Sequence, residues 1–357
     1  MTTARRTLAR GVTLGAGLAV ASVTRQTLNR LSEESLRGEV ALITGGSRGL
    51  GLALARELAE EGCRLAICAR DGEELERARK DLVQRGAEVL TVVCDVRDEA
   101  QVGKMVTEVT NRFGRIDLLI NNAGIITVGP VQAMTSEEFA RAMETDFWGV
   151  VYPTLAVLPQ MRDRRRGRVV TITSVGGKIS MPHLLPYNSA KFAAVGFSEG
   201  LRAELAPDGI IVTTVVPGEM KTGSHLHAEF AGEREKEYRW FALGASSPLT
   251  ISADRAARTI VRGIKRGTAE LTFPISAKIG TRLNGLFPGA AASALTAIER
   301  LLPAAGDGKQ GTVPGVTVAA GMNAPVLEKA TALGRSAAER FNQYPDGQAE
   351  TAPGAGV

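Results

Sequence analysis

The chain has few cysteines, histidines and aromatic residues, and each shortage argues against a class of protein. Its three cysteines are an odd number in 357 residues, which argues against a disulfide framework and fits a reducing compartment. His225 and His227 stand two residues apart without further ligands nearby, so no metal site is predicted. Aromatic residues make up 4% of the chain and are not interleaved with arginines, so no nucleic-acid partner is predicted.

A glycine-rich turn follows a clear strand pattern. Residues 39–44 form a short apolar run that is typical of a buried strand, and Gly45, Gly49 and Gly51 come directly after it. Leucines and alanines at helical spacing follow the turn. This order suits a pyrophosphate, because glycines allow close approach and a helix N-terminus offers free N–H groups and positive dipole charge.

A second cluster has the residue types that move a proton to and from a carbonyl oxygen. Tyr187 and Lys191 are four residues apart, so on a helix they share one face. A cation about 4 Å from the phenol supplies about 4 kcal/mol at an effective dielectric of 20, enough to lower a pKa of about 10 towards neutrality. Ser174 would hold the carbonyl oxygen by donating a hydrogen bond.

Together these motifs resemble the short-chain dehydrogenase/reductase family. Asn121-Asn122-Ala123-Gly124 and Pro217-Gly218 complete the pattern in the family's order, and the likeness covers about residues 38–275. The resemblance implies an α/β fold of the Rossmann type, with a doubly wound, mostly parallel, seven-stranded sheet and helices on both faces. It also implies hydride transfer between nicotinamide and a carbonyl or alcohol carbon, in a homodimer or homotetramer.

The end of the second predicted strand indicates which nicotinamide cofactor is used. Relatives that prefer NAD carry an acidic residue there, whereas this chain has Ala69 followed by Arg70. Arg70 and Arg48 suit a 2′-phosphate, so we expect NADP(H). The alternative is that Arg70 only pairs with Asp71 or Glu74 at the surface.

The resemblance assigns the remaining cofactor contacts residue by residue. The expected cofactor-binding residues are Gly45, Ser47, Arg48, Gly49, Leu50, Gly51, Arg70, Asp95, Val96, Asn121, Ala123, Gly124, Tyr187, Lys191, Pro217, Gly218, Met220 and Thr222. Thr222 has an ordinary alternative role as a helix cap.

One position departs from the family pattern. Relatives usually have an asparagine that helps relay protons towards the lysine, and this chain has Asp146 in its place. An ionised Asp146 would offset the field of Lys191, raise the pKa of Tyr187 and shift the pH optimum for oxidation upward. The alternatives are that Asp146 shares a proton with the relay, or that it pairs with Lys191 without kinetic effect.

The two ends lie outside the family core. Residues 1–37 form a basic and apolar extension, 276–302 an apolar helical extension, and 303–357 a partly disordered tail rich in Gly, Pro and Ala, with one weak helix. The 13-residue apolar stretch of residues 11–23 is too short to span a bilayer, which needs about 20 residues. It suits peripheral membrane contact by a cytoplasmic protein, which we expect first, or an export signal.

The sequence therefore predicts an NADP(H)-dependent oxidoreductase with Ser174, Tyr187, Lys191 and Asp146 in its catalytic centre. Aromatic residues in the variable loop 223–244 indicate an apolar carbonyl or alcohol substrate, or else pack within the loop itself. The alternatives in function are a non-enzymatic NADPH-binding sensor or membrane-associated scaffold, and an enzyme of epimerisation or dehydration with the same cofactor.

Overall fold

A computed structural model of the protein describes residues 33–245, 247, 250–306, 311–322 and 325–344. The apolar stretch of residues 11–23, considered above for membrane contact or export, lies outside these residues. So does the end of the tail, residues 345–357, which the sequence predicts to be disordered.

Seven parallel strands form the central sheet, in the order β7-β6-β5-β4-β1-β2-β3. They are β1 Val40–Thr44, β2 Arg64–Ala69, β3 Val89–Val93, β4 Leu118–Asn121, β5 Gly167–Ile172, β6 Ile210–Pro217 and β7 Glu270–Phe273. The strand order reverses between β1 and β4, and ligands bind at such a switch point beside the carboxyl ends of the strands. The doubly wound sheet predicted from the sequence is confirmed.

The central strands are mostly apolar and almost wholly buried because helices cover both faces of the sheet. Every residue of Val40–Thr44 is buried, as parallel strands covered on both faces require. Leu54 and Leu58 of α1 pack on one face with Ile260 of α9. Met105 of α3 packs on the other face, in a cluster with residues of α5 and α6. The helices are α1 Gly49–Glu60, α2 Gly72–Gln84, α3 Glu99–Phe113, α4 Ser136–Met143, α5 Gly149–Asp163, α6 Leu185–Leu205, α7 Ser224–His227, α8 Arg234–Ala245, α9 Ala253–Lys265, α10 Ile275–Leu286, α11 Pro288–Glu299, α12 Gly315–Ala320 and α13 Pro325–Arg340.

The variable loop has its own small core. Phe230, Tyr238 and Phe241 are buried against one another, with Val318 of α12 in the same cluster. Three two-residue strands, Thr127–Val128, Glu229–Phe230 and Val313–Pro314, pair beside it. These three aromatic side chains therefore pack within the loop, the second of the two predicted roles.

Candidate active site

The glycine turn joins β1 to α1 at the switch point of the sheet. Gly45 and Gly49 have φ angles of +61° and +55°, a left-handed conformation that favours glycine. A Cβ on Gly45 would lie 2.9 Å from the Cα of Ala123, and a Cβ on Gly51 would collide with the carbonyl oxygen of Gly45. The glycines thus permit a close backbone approach that other residues would block.

A cavity of about 880 Å³ extends from this turn along the carboxyl ends of the strands. Its volume lies within the range of roughly 300–1,000 Å³ that is typical of ligand sites. Sixteen of the residues predicted for the cofactor or catalysis line it: Gly45, Ser47, Arg48, Gly49, Leu50, Gly51, Arg70, Asp95, Val96, Ala123, Gly124, Asp146, Tyr187, Lys191, Met220 and Thr222.

Four predicted residues do not line the cavity. Pro217 ends β6, Gly218 packs against Ala277, and Ser174 forms a hydrogen bond with the phenol of Tyr187 without lining the cavity. The fourth is Asn121, whose buried amide donates to the hydroxyl of Thr154 on α5.

The next residue, Asn122, lines the cavity where Asn121 was expected. Its side-chain amide donates to the carbonyl oxygens of Thr44 and Gly45 at 3.0 Å each. Successive side chains at the end of a strand point to opposite faces, so the two asparagines cannot share one environment. Asn122 therefore lines the cavity and braces the glycine turn, while the cofactor contact expected of Asn121 stays a prediction.

Tyr187 and Lys191 face one another on α6, as their spacing predicts. The ammonium nitrogen of Lys191 lies 5.7 Å from the centre of the Tyr187 ring and donates to the carbonyl oxygen of Ile172 at 3.3 Å. Burial raises the pKa of Tyr187, a hydrogen bond from Ser174 lowers it, and the charges of Asp146 and Glu219 raise it further. The net direction is upward, opposite to the lowering expected from Lys191 alone.

The negative charge of Asp146 offsets the effect that the positive charge of Lys191 would have on the pKa of Tyr187. Asp146 lies in a π-helical turn, Glu144–Trp148, with its side chain fully buried and Oδ1 3.0 Å from Lys191 Nζ. Burial raises the pKa of Asp146, while the charge of Lys191 and a hydrogen bond from the N–H of Ile125 oppose that rise. The ion pair expected as one alternative is present, and its kinetic effect stays a prediction.

A carboxylate already pairs with Arg48, one of the two arginines expected to hold a 2′-phosphate. Glu74 accepts a hydrogen bond from the Ser47 hydroxyl at 2.8 Å and pairs with Arg48 at 3.0 Å. Within the described residues Arg70 has no ion pair, so the surface pairing considered for it from the sequence is made by Arg48 instead. Asp95 pairs with Arg97.

The C-terminal tail contributes to the site in a way that the sequence does not predict. Residues 341–343 lie against the glycine turn, and Gln343 lines the cavity. No local pattern marks them, since they follow a helix in a segment whose composition indicates disorder.

Comparison with known proteins identifies the family. The sequence profile described as short chain dehydrogenase matches residues 39–229. The chain belongs to this family of oxidoreductases. Among its relatives is 11-beta-hydroxysteroid dehydrogenase A of Sesamum indicum, 35% identical over 253 residues, which are 69% of this chain and 71% of that protein.

Solved structures of the family share the fold and differ in cofactor. A short-chain dehydrogenase/reductase from Burkholderia phymatum in complex with NAD is 26% identical, with a TM-score of 0.66 and coverage of 70% of this chain and 94% of that one. A variant of actinorhodin polyketide ketoreductase with NADPH is 32% identical, with a TM-score of 0.58 and coverage of 66% and 95%. Both cofactors therefore occur on this fold among its neighbours.

Proposed function

We propose that this short-chain dehydrogenase interconverts a carbonyl and an alcohol with NADP(H), using Tyr187 as general acid and base. The observation that carries the proposal is the position of Tyr187 and Lys191 on the wall of a cavity that continues to the glycine turn. Ser174 lies beside the phenol and lowers its pKa by a hydrogen bond. A proton-transfer group and a pyrophosphate cradle thus share one cleft.

Each residue has a distinct part in this proposal. Tyr187 donates its proton to a carbonyl oxygen in reduction and removes the alcohol proton in oxidation. Ser174 orients that oxygen by a hydrogen bond, and Lys191 holds the cofactor ribose and supplies positive charge beside the phenol. The nicotinamide, when bound, supplies or accepts the hydride.

The residues of the cleft fit a dinucleotide. Gly45, Gly49 and Gly51 leave room that a Cβ would fill, and the N-terminus of α1 opens beside them. Arg48 and Arg70 line the same cavity, which favours a 2′-phosphate once Glu74 releases Arg48 and Ser47.

Dissociation constants for NADPH and NADH test this choice of cofactor, because Arg70→Ala should weaken the binding of NADPH alone. Equal loss for both nucleotides, or none, would refute NADP(H) selection by Arg70.

Turnover by Tyr187→Phe tests the catalytic assignment. We expect a panel of carbonyls with NADPH and alcohols with NADP to reveal a substrate for the wild-type chain, and Tyr187→Phe to slow its turnover by about 10²–10⁴-fold. Tyr152→Phe, on α5 outside the cavity, is the matched control and should retain activity. Tight NADPH binding without turnover of any compound would favour the alternative of a sensor or scaffold.

The nicotinamide end of the cavity favours an apolar substrate. Ile125, Ile126, Met220 and Ala228 line it, and the Sesamum relative is named for action on a steroid. We therefore expect medium-chain and cyclic ketones to be reduced faster than charged carbonyls of similar size. A preference for charged carbonyls in the same panel would contradict this.

We also propose peripheral contact with an anionic membrane through α10. No helix among the described residues is both long and apolar enough to cross a bilayer. Ile275, Ile279 and Leu283 nevertheless form an exposed stripe on α10, with the side chains of Lys278 and Arg282 exposed beside it. An apolar stripe bordered by cations suits the surface of anionic lipid. Co-sedimentation should occur with phosphatidylglycerol vesicles and be lost in Ile279→Asp, whereas equal binding to phosphatidylcholine vesicles would refute the role of charge.

A homodimer or homotetramer through α5 and α6 completes the proposal. Leu155 on α5 and Phe192 on α6 are 53% and 43% exposed, which is unusual for large apolar residues on helices of the core. A second copy would bury them. Light scattering after gel filtration should show an oligomer that Phe192→Asp disrupts, and a monomeric wild-type chain would exclude this interface.

A further inference from the structure

Three residues near the C-terminus, Phe341–Gln343, run beside the cavity from the glycine turn to the variable loop; we name them the C-terminal strap. Phe341 anchors the strap because its ring is fully buried in the core cluster formed by α1 and the sheet. The guanidinium of Arg56 lies 5.2 Å from the centre of that ring. Asn342 adopts a left-handed conformation with φ +56°, which turns its side chain back towards the cleft.

On the adenosine side, Asn342 fastens the strap to the glycine turn, which carries Arg48, and to α2. Its amide nitrogen donates to the carbonyl oxygens of Ser47 and Glu74 at 2.9 Å each. Its amide oxygen accepts from Nε of Arg77 at 2.8 Å. One side chain thus ties the glycine turn to α2.

On the nicotinamide side, Gln343 fastens the strap to the variable loop. Its side-chain amide nitrogen donates to the carbonyl oxygen of Thr222, and its main-chain carbonyl oxygen accepts from Nε2 of His227 at 2.9 Å. Burial lowers the pKa of His227 to about 4, so the ring is neutral near pH 7 and this nitrogen carries the donated hydrogen. The strap therefore bridges the two walls of the cleft.

The cavity stays open beneath the strap. Gln343 lines it together with Leu50, Tyr187 and Lys191, and the volume of about 880 Å³ is measured with the strap in place. The strap does use one amide at the start of α1, because the N–H of Gly49 donates to the carbonyl oxygen of Phe341 at 3.0 Å. A closed strap and a ligand-sized cavity coexist, which favours a strap that retains a ligand over one that displaces it.

We propose that the C-terminal strap is part of the cofactor site and slows the release of the bound dinucleotide, with Asn342 and Gln343 as positioning residues. This inference rests on the proposed function, since it requires a nicotinamide dinucleotide in the cleft. Exchange of the nucleotide then requires the strap to leave both walls, so its hydrogen bonds control the dissociation rate more than the association rate.

The test is the dissociation rate of NADPH from the full-length chain, measured by displacement of the fluorescent nucleotide with excess NADP. The double variant Asn342→Ala/Gln343→Ala should release NADPH about tenfold faster or more, since several hydrogen bonds are lost. Glu339→Ala, an exposed change on the preceding helix, is the matched control and should leave the rate unchanged. Thermal unfolding without nucleotide separates this effect from a loss of folding.

Three results would contradict the proposed role of the strap. An unchanged dissociation rate in the double variant would show that the strap does not retain the cofactor, and slower release would show that it competes with the cofactor. Hydrogen exchange on the wild-type chain tests the same point without a substitution: NADPH should protect the amides of residues 341–343, and unaltered exchange would contradict the inference. Failure of the wild-type chain to bind either NADPH or NADH would overturn the proposed function as well.

Discussion

Replacing Asp146 with asparagine tests how the buried carboxylate controls the proton-transfer group. Lys191 Nζ lies 3.0 Å from Asp146 Oδ1 and 5.7 Å from the centre of the Tyr187 ring, so the carboxylate lies within about 9 Å of the ring. At an effective dielectric of 20, a unit charge at that distance contributes about 1.8 kcal/mol, or about 1.4 pKa units. Asp146→Asn removes this contribution while keeping the shape of the side chain.

The expected result is a shift of the pH–rate profile for alcohol oxidation to lower pH by about one unit. Burial and the charge of Asp146 both raise the pKa of Tyr187, and the substitution removes only the second cause. Asp163→Asn, an exposed change at the end of α5, should leave the profile where it is. Thermal unfolding of Asp146→Asn must accompany the assay, because the change leaves Lys191 buried without its ion-pair partner. A profile that overlays that of the wild type would refute the reasoning.

Three further predictions concern the cleft and its surroundings. Glu74→Gln should tighten NADPH binding severalfold with little effect on NADH, because it frees Arg48 for a 2′-phosphate; equal effects in titration calorimetry would contradict this. Gly51→Ala should abolish binding of either nucleotide in the same assay, since its Cβ would collide with the glycine turn; retained binding would show that the turn can relax. Burial lowers the pKa of His183, but its hydrogen bond to Glu237 and nearby negative charges outweigh that and raise it overall. The pair should therefore stabilise the fold fully below pH about 6.5 and lose this effect as pH rises through the elevated pKa. The difference in unfolding free energy between the wild type and His183→Gln should be larger at pH 6 than at pH 9, and a difference independent of pH would contradict it.

The sequence predicts those features that depend only on residues close together in the chain. Val40–Ile43 is apolar because the strand is buried on both faces, and the glycines that follow Thr44 permit a turn that other residues would block. Tyr187 and Lys191 meet because residues four apart share one face of a helix. Periodicity and turn chemistry thus suffice for the sheet and for this part of the site.

The sequence does not predict contacts between segments that are far apart in the chain. Asn342 reaches Ser47 across 295 positions of the chain, and no repeat or spacing encodes such a contact. Asn122 rather than Asn121 lines the cavity for a different reason. Which of the two side chains faces the cavity depends on the residue at which β4 ends, and the sequence does not specify that residue. The raised pKa of Tyr187 depends on the depth of burial, which a local motif does not contain.

The most direct test of the central claim is a single turnover of hydride transfer after rapid mixing of the NADPH complex with a carbonyl substrate. Followed by the loss of reduced nicotinamide absorbance, Tyr187→Phe should be slower than the wild-type chain by about 10²–10⁴-fold, with an unchanged dissociation constant for NADPH. Equal rates in the two proteins would show that the phenol of Tyr187 is not the proton donor.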